Sequence, residues 1–242
     1  MEKVQDYVDT VNAPWGKMFY DMLFAQLALP QTPKLNILDF GSGLGVTANY
    51  YAAWHNVTAV EPNNEMIENS FCGNSYTQIW GGIEHINNIA DDTFDIVFCH
   101  NVLEYIKDKE PILQALLRVL KSHGKLSIVK HNRVGRVLHT AVFRNDPQRA
   151  MSILDEGSND ANKYLGTQYL YSNYELRCWI AKHGGSMINE YGMRAFWALG
   201  QDNAVKYSSE WYDKMLELEM KVSKMDEYVK FAFLHHLIFQ KQ

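Results

Sequence analysis

The chain has 242 residues, 47% of them hydrophobic and 21% charged, a composition that supports a well-buried globular core and excludes a disordered or fibrous chain. Its 23 basic and 28 acidic residues leave a formal charge of -5, which argues against a long nucleic acid held by a generally basic surface, although a local basic patch stays open. The three cysteines (Cys72, Cys99 and Cys178) are dispersed and outside metal-ligand spacing, and no secretory leader pattern or membrane-spanning apolar run is evident; a cytoplasmic protein without a metal centre is expected.

In chain order, residues 1–33 read as a helical segment, with Trp15, Met18, Phe19, Met22, Leu23 and Leu27 at helical spacing, Asn12 as its cap and Pro30 and Pro33 ending it. Short apolar runs then alternate with helical stretches. Strands are expected at Leu35 to Phe40, Asn56 to Glu61, Tyr76 to Trp80, Thr93 to His100 and Gly124 to His131. Helices are expected from Val46 to Trp54, from Pro62 onward and from Pro111 to Lys121. Strands that are apolar on both faces and separated by helices predict a doubly wound α/β fold around a mostly parallel sheet.

Residues 133–170 break this rhythm, include the polar run Asp155 to Asn162, and are expected to form an inserted lid within a single domain spanning 1–242. A helix capped by Ser172 follows, then a charged helix (Ser208 to Lys224) between two late strands, Met187 to Leu199 and Val229 to Gln240. That pair suits an antiparallel arrangement at one edge, giving seven strands in all.

The most informative segment is ILDFGSGLG, Ile37 to Gly45. A buried strand ends at Asp39, and glycines at Gly41, Gly43 and Gly45 allow a sharp turn and a ligand lying directly against the backbone. Glu61, at the end of the next strand, can accept hydrogen bonds from both hydroxyls of a ribose. The dinucleotide pattern G-x-G-x-x-G is not met, because Val46 occupies its third glycine position. A carboxylate beside the ligand also repels a pyrophosphate, whereas it suits an ammonium group. The bland alternatives are that Asp39 caps the loop, that Glu61 is a helix-start acid, and that a histidine such as His100 is a satisfied structural side chain.

On these motifs the chain resembles the class I S-adenosylmethionine-dependent methyltransferases, with VTAVEPN as the acidic second motif and FDIVFCHNVLEYIKD and LLRVLKSHGKLSI as the later ones. CHNVLEYIKD, KHNRVGRVLHTAVFRND, GMRAF and LELE further resemble the bacterial tRNA 5-carboxymethoxyuridine methyltransferase (SmtA-like) family. The resemblance implies S-adenosylmethionine as cofactor, bound by Asp39, Gly41, Ser42, Gly43, Glu61, Pro62, Gly82, Ile83 and His100. It also implies an acidic adenine contact, for which Glu84 would have to serve, and a cation in the amino-terminal helix, where Phe19 stands with Lys17 nearest. The implied acceptor is a wobble-uridine carboxylate of tRNA; a small metabolite, or a nicotinamide-dependent reaction on a similar fold, are the alternatives.

His100, Tyr105 and Arg194 are candidates to act on the acceptor, with His131 and Asn132 beside them. An arginine among Met193, Ala195 and Phe196 needs an anionic partner, which a substrate carboxylate or an internal Glu would supply. A carboxylate acceptor needs no base; a hydroxyl or amine would call on His100 or His131. His235 and His236 lack neighbouring ligands at metal spacing.

Overall fold

The computed structural model describes residues 2–156, 161–162 and 166–242. The chain opens with two helices, α1 (Glu2–Asn12) and α2 (Pro14–Leu27). Asn12 ends the first helix instead of capping the second: Pro14 starts the second, and Ala13 is its cap residue. Proline fits there because the first turn leaves its N–H unused.

Strands β1 (Asn36–Phe40), β2 (Asn56–Glu61), β3 (Thr77–Trp80) and β4 (Phe94–His100) alternate with α3 (Val46–Ala52), α4 (Asn64–Glu68) and α5 (Ile83–Asn87). Pro62 does not open α4; Asn63 caps it, its side chain accepting from the N–H groups of Glu65 and Met66. Helix α6 (Glu110–Val119) leads directly into β5 (Leu120–His131), which begins earlier than expected: Leu120 already pairs with Phe94, the chain kinks at His123 (φ 62°), and regular pairing resumes at Lys125 opposite Ile96.

Residues 133–170 contain α7 (Arg133–Leu138), a π-helical turn over His139–Phe143, α8 (Pro147–Glu156) and a small hairpin of β6 (Ala161–Asn162) and β7 (Gly166–Thr167). Residues 157–160, half of the polar run Asp155 to Asn162, lie outside the described residues. Helix α9 (Asn173–Lys182) carries a full capping box between Ser172 and Glu175, and is followed by β8 (Gly185–Met193), α10 (Ser209–Val222), α11 (Asp226–Val229) and β9 (Leu234–Lys241).

The seven long strands form one sheet in the order β3-β2-β1-β4-β5-β9-β8. Strands β1 to β5 are parallel, and β9 runs antiparallel between β5 and β8. One face carries α6 and α9, with Leu113, Leu116, Leu176 and Ile180 packed on Leu126, Ile128 and Phe239. The other carries α2, α3 and α10, with Met18, Met22, Ala48, Tyr51 and Tyr212 over Phe98, Val129 and Leu234. The strand order reverses between β1 and β4, so the connections leaving their carboxyl ends diverge and open a crevice there.

Candidate active site

A cavity of about 700 Å³ occupies that crevice. Its wall includes every residue expected to hold the cofactor (Asp39, Gly41, Ser42, Gly43, Glu61, Pro62, Gly82, Ile83 and His100) together with Tyr105, His131 and Arg194. Glu84 is exposed, bonding the Gly82 N–H and His85, and does not line the cavity. Asn132 stands outside it, capping α7 and donating to the carbonyls of Lys230 and Ala232. Lys17 is also outside, paired with Asp21 at 2.6 Å, while Phe19 lines the wall.

The sequence pattern did not reveal the cover. Tyr7, Thr10, Val11, Trp15 and Tyr20, from α1 and α2, lie over the glycine loop across the cavity. Their helical spacing reads equally well as core packing, and nothing local in the sequence says that the helix returns to a loop twenty residues later. No described residue of 133–170 lines the cavity. The segment reaches it through Gln168, whose amide donates to the Tyr105 hydroxyl at 2.8 Å and accepts from Arg136 at 2.5 Å.

The glycine loop is held open from below. Gly41 and Gly43 have positive φ (73° and 54°), which a side chain rarely adopts. At Gly41 a Cβ would collide with Val102, while at Gly43 it would enter empty space on the cavity wall. Glu61 braces the loop: Oε2 accepts the Gly43 N–H at 2.8 Å and Oε1 the Asn63 N–H at 2.9 Å. Each oxygen keeps a lone pair for a ligand hydroxyl, and burial pushes the carboxyl above its usual range against those two bonds.

Deeper in, the wall consists of acceptors without partners. Asp39 Oδ2, His100 Nδ1 and Asn101 Oδ1 are all buried and unbonded. Burial pushes the Asp39 carboxyl up to about 7, although the Ala48 N–H bonds it, and no cation among the described residues offsets the shift. A buried carboxylate of this kind calls for a cationic donor. An ammonium group meets that need; a pyrophosphate does not. The residues present therefore fit S-adenosylmethionine: Glu61 would take its ribose, Gly43 would lie against it, and Asp39 would meet its ammonium.

On the far side, Arg194 stands at φ 59° with its Nε unbonded and its guanidinium 5.3 Å from the centre of the Phe233 ring. Glu219, the internal acid available to it, is occupied by the N–H groups of Ala195, Phe196 and Trp197 at 2.7–2.8 Å. Burial pulls the guanidinium down to about 10, with Glu219 opposing. Burial, with Arg136 and Arg194 nearby, holds the His131 imidazole down to about 3, so it is neutral.

Residues 38–128 match the family model described as a methyltransferase domain. The chain carries an S-adenosylmethionine-dependent methyltransferase domain. It is 25% identical over 230 residues to the tRNA 5-carboxymethoxyuridine methyltransferase of Escherichia coli K12, spanning 91% of this chain and 84% of that one. A human thiol S-methyltransferase is 30% identical over 105 residues, covering 40% of this chain and 43% of its own. In fold, the methyltransferase resembles an S-adenosylmethionine-dependent methyltransferase of Archaeoglobus fulgidus (TM-score 0.62, 14% identity, 98% and 99% of the two chains). A Listeria monocytogenes structure described in the same terms aligns with a TM-score of 0.59 at 17% identity, over 93% and 96% of the two chains. Among the described residues no group of side chains suits a metal ion, and no helix is long and apolar enough to cross a membrane.

Proposed function

We propose that the methyltransferase esterifies a carboxylate, and that the carboxylate belongs to the modified wobble uridine of a tRNA. The observation that carries this is Arg194: a half-buried arginine on the cavity wall whose buried Nε is unbonded and whose internal acid, Glu219, is already committed to three backbone N–H groups. A substrate carboxylate is the partner it lacks. Tyr105, in the 3-10 turn Leu103–Tyr105 that follows β4, lines the same cavity as a second donor, and His131 stays neutral.

The cofactor supplies an electrophilic methyl group. The protein's part is to hold the acceptor oxygen in line and to keep water out, the latter through Tyr7, Trp15, Phe19 and Tyr20. An ionised carboxylate brings its own electron pair, so no proton has to be removed before transfer.

The tRNA half of the reading draws on the likeness to the E. coli enzyme over most of both chains. It also draws on local charge. Residues 130–150 hold Lys130, Arg133, Arg136, Arg144 and Arg149 against a single acid, Asp146, in a chain of net charge -5. Arg133 and Arg144 are exposed, where a phosphate backbone can meet them. The overall acidity favours a second reading, a small carboxylate metabolite taken up by the same Arg194.

Incubating the protein with tRNA that carries unmethylated 5-carboxymethoxyuridine, then measuring nucleosides by mass spectrometry, separates the two. The methyl ester is expected to appear, and Arg194→Lys to raise the KM for tRNA while leaving the affinity for S-adenosylhomocysteine within about twofold. No ester on tRNA, with turnover of small carboxylates, would establish the second reading instead.

A further inference from the structure

A chain of buried polar side chains crosses the sheet from α2 to the cavity. Gln26 Nε2 donates to the Gly192 carbonyl at 3.3 Å. Gln26 Oε1 meets His236 Nδ1 at 2.8 Å, His236 Nε2 meets Ser127 Oγ at 2.9 Å, and Ser127 Oγ meets His100 Nε2 at 2.8 Å. The next atom, His100 Nδ1, is buried, unpartnered and on the cavity wall. Gln26, Ser127 and His236 are buried and do not line the cavity.

The polarity of this chain has one solution. A carbonyl only accepts, so the amide nitrogen of Gln26 faces Gly192 and its oxygen faces His236. His236 must then carry its proton on Nδ1 and offer a lone pair at Nε2. Ser127 donates its hydroxyl hydrogen to that lone pair and accepts in turn from His100. His100 therefore carries its proton on Nε2, and Nδ1 is left bare toward the cavity. Burial holds both rings neutral, His236 down to about 3 and His100 well below its usual range.

We propose that Gln26, His236 and Ser127 are positioning residues that lock His100 in its Nε2–H form, so that Nδ1 joins Asp39 Oδ2 and Asn101 Oδ1 as an acceptor for the ammonium group of the bound cofactor. Asp39 pairs with Phe98 across β1 and β4, which places its side chain on the same sheet face as His100 two residues on. An ammonium offers three N–H donors, and these are three unbonded buried acceptors on one wall. The opposite tautomer would set an N–H against that cation. The relay thus acts on binding through a carbonyl on the edge strand β8.

Histidine-labelled full-length protein, read by 15N NMR, gives the tautomer directly. The wild type is expected to show His100 with an unprotonated Nδ1 and a protonated Nε2. Gln26→Leu, remote from the cavity, is expected to release the order and shift His100 toward the other form, whereas Gln26→Glu, which can still accept from His236, is expected to preserve it. Affinity supplies a second readout. Ser127→Ala and Gln26→Leu are expected to weaken S-adenosylhomocysteine about tenfold while changing 5′-methylthioadenosine, the same nucleoside without the amino-acid end, less than twofold.

Three results would overturn the proposal: His100 protonated at Nδ1 in the wild type, a tautomer indifferent to Gln26→Leu, or equal losses for both ligands. Tight binding of S-adenosylhomocysteine to the wild type in the same titrations secures the cofactor assignment independently of these outcomes. Should Ser127→Ala fail to fold, the two Gln26 variants carry the test alone.

Discussion

At the residue scale, Asp39 makes a prediction about protons. Its carboxyl is raised to about 7 by burial, and an ammonium placed against it favours the ionised form. Binding then releases a proton wherever Asp39 is protonated beforehand. The affinity for S-adenosylhomocysteine is therefore expected to rise from pH 5.5 to pH 7.5, by up to about tenfold per pH unit on the acid side of that range, and to level off above it. Calorimetry in buffers of different ionisation enthalpy should record close to one proton released at pH 6 and few at pH 8. Asp39→Asn removes both the pH dependence and most of the affinity. This residue was legible in the sequence because strand, glycine loop and acid occur in a fixed order over ten residues. The bare Nδ1 of His100 and the occupied state of Glu219 were not, because each depends on partners tens of residues distant.

The element scale is where segment and site meet. Gln168, just beyond β7, is oriented by Arg136, an obligate donor that claims its oxygen and leaves its nitrogen to donate to Tyr105. The Tyr105 hydroxyl hydrogen is then available to the cavity, where the proposed carboxylate would take it. Replacing Gln168 by Glu keeps the contact to Arg136 but reverses the other bond, drawing the Tyr105 hydrogen away. The KM for the acceptor is expected to rise about tenfold, as in Tyr105→Phe, and the double variant to be no worse than either single one. Additive losses would mean that the new charge acts on the substrate directly. The helices and strands around this contact were readable from period and punctuation: Ser172 caps α9 as its spacing with Glu175 implies, and β2 spans Asn56–Glu61 as read. Short α5 was missed, since five residues hold too little of a helical period to register. The contact itself had no local signal, because Gln168 and Tyr105 come together only through the fold.

For the whole molecule, buried neutral histidines outweigh buried protonated acids. His131 and His236 are held down to about 3 and His235 to about 4, and His100 is lowered as well, all chiefly by burial. A lowered histidine contributes stability above its unfolded pKa near 6.5 and loses it as pH falls toward the folded value. Asp39 and Glu104, both raised to about 7, work in the opposite sense, contributing stability at low pH that is lost as pH rises toward 7. With His55 and His139, also lowered, and Glu61 and Glu219, also raised, six histidines stand against four acids, so unfolding near pH 5 takes up protons on balance and stability falls as pH falls. The urea midpoint of the ligand-free protein should therefore fall steeply between pH 6 and pH 4.5. A midpoint that rises over that interval would show the acids to be dominant. The seven-stranded plan was legible in the sequence, since apolar runs and helical stretches alternate strictly through β5. The side-by-side placement of β5 and β9 was not: they pair across more than a hundred residues, and only tertiary packing chooses that register.

Strand β9 acts as a keystone. Lying between β5 and β8, it hides two rows of backbone hydrogen-bonding groups, so while it is out of place both neighbours present bare, apolar margins to any other chain. Its residues are synthesised after those of every strand it joins, so each nascent molecule passes through a stage with both margins open. His236 travels on the same strand, so the act that seals the sheet against aggregation also delivers the relay to His100.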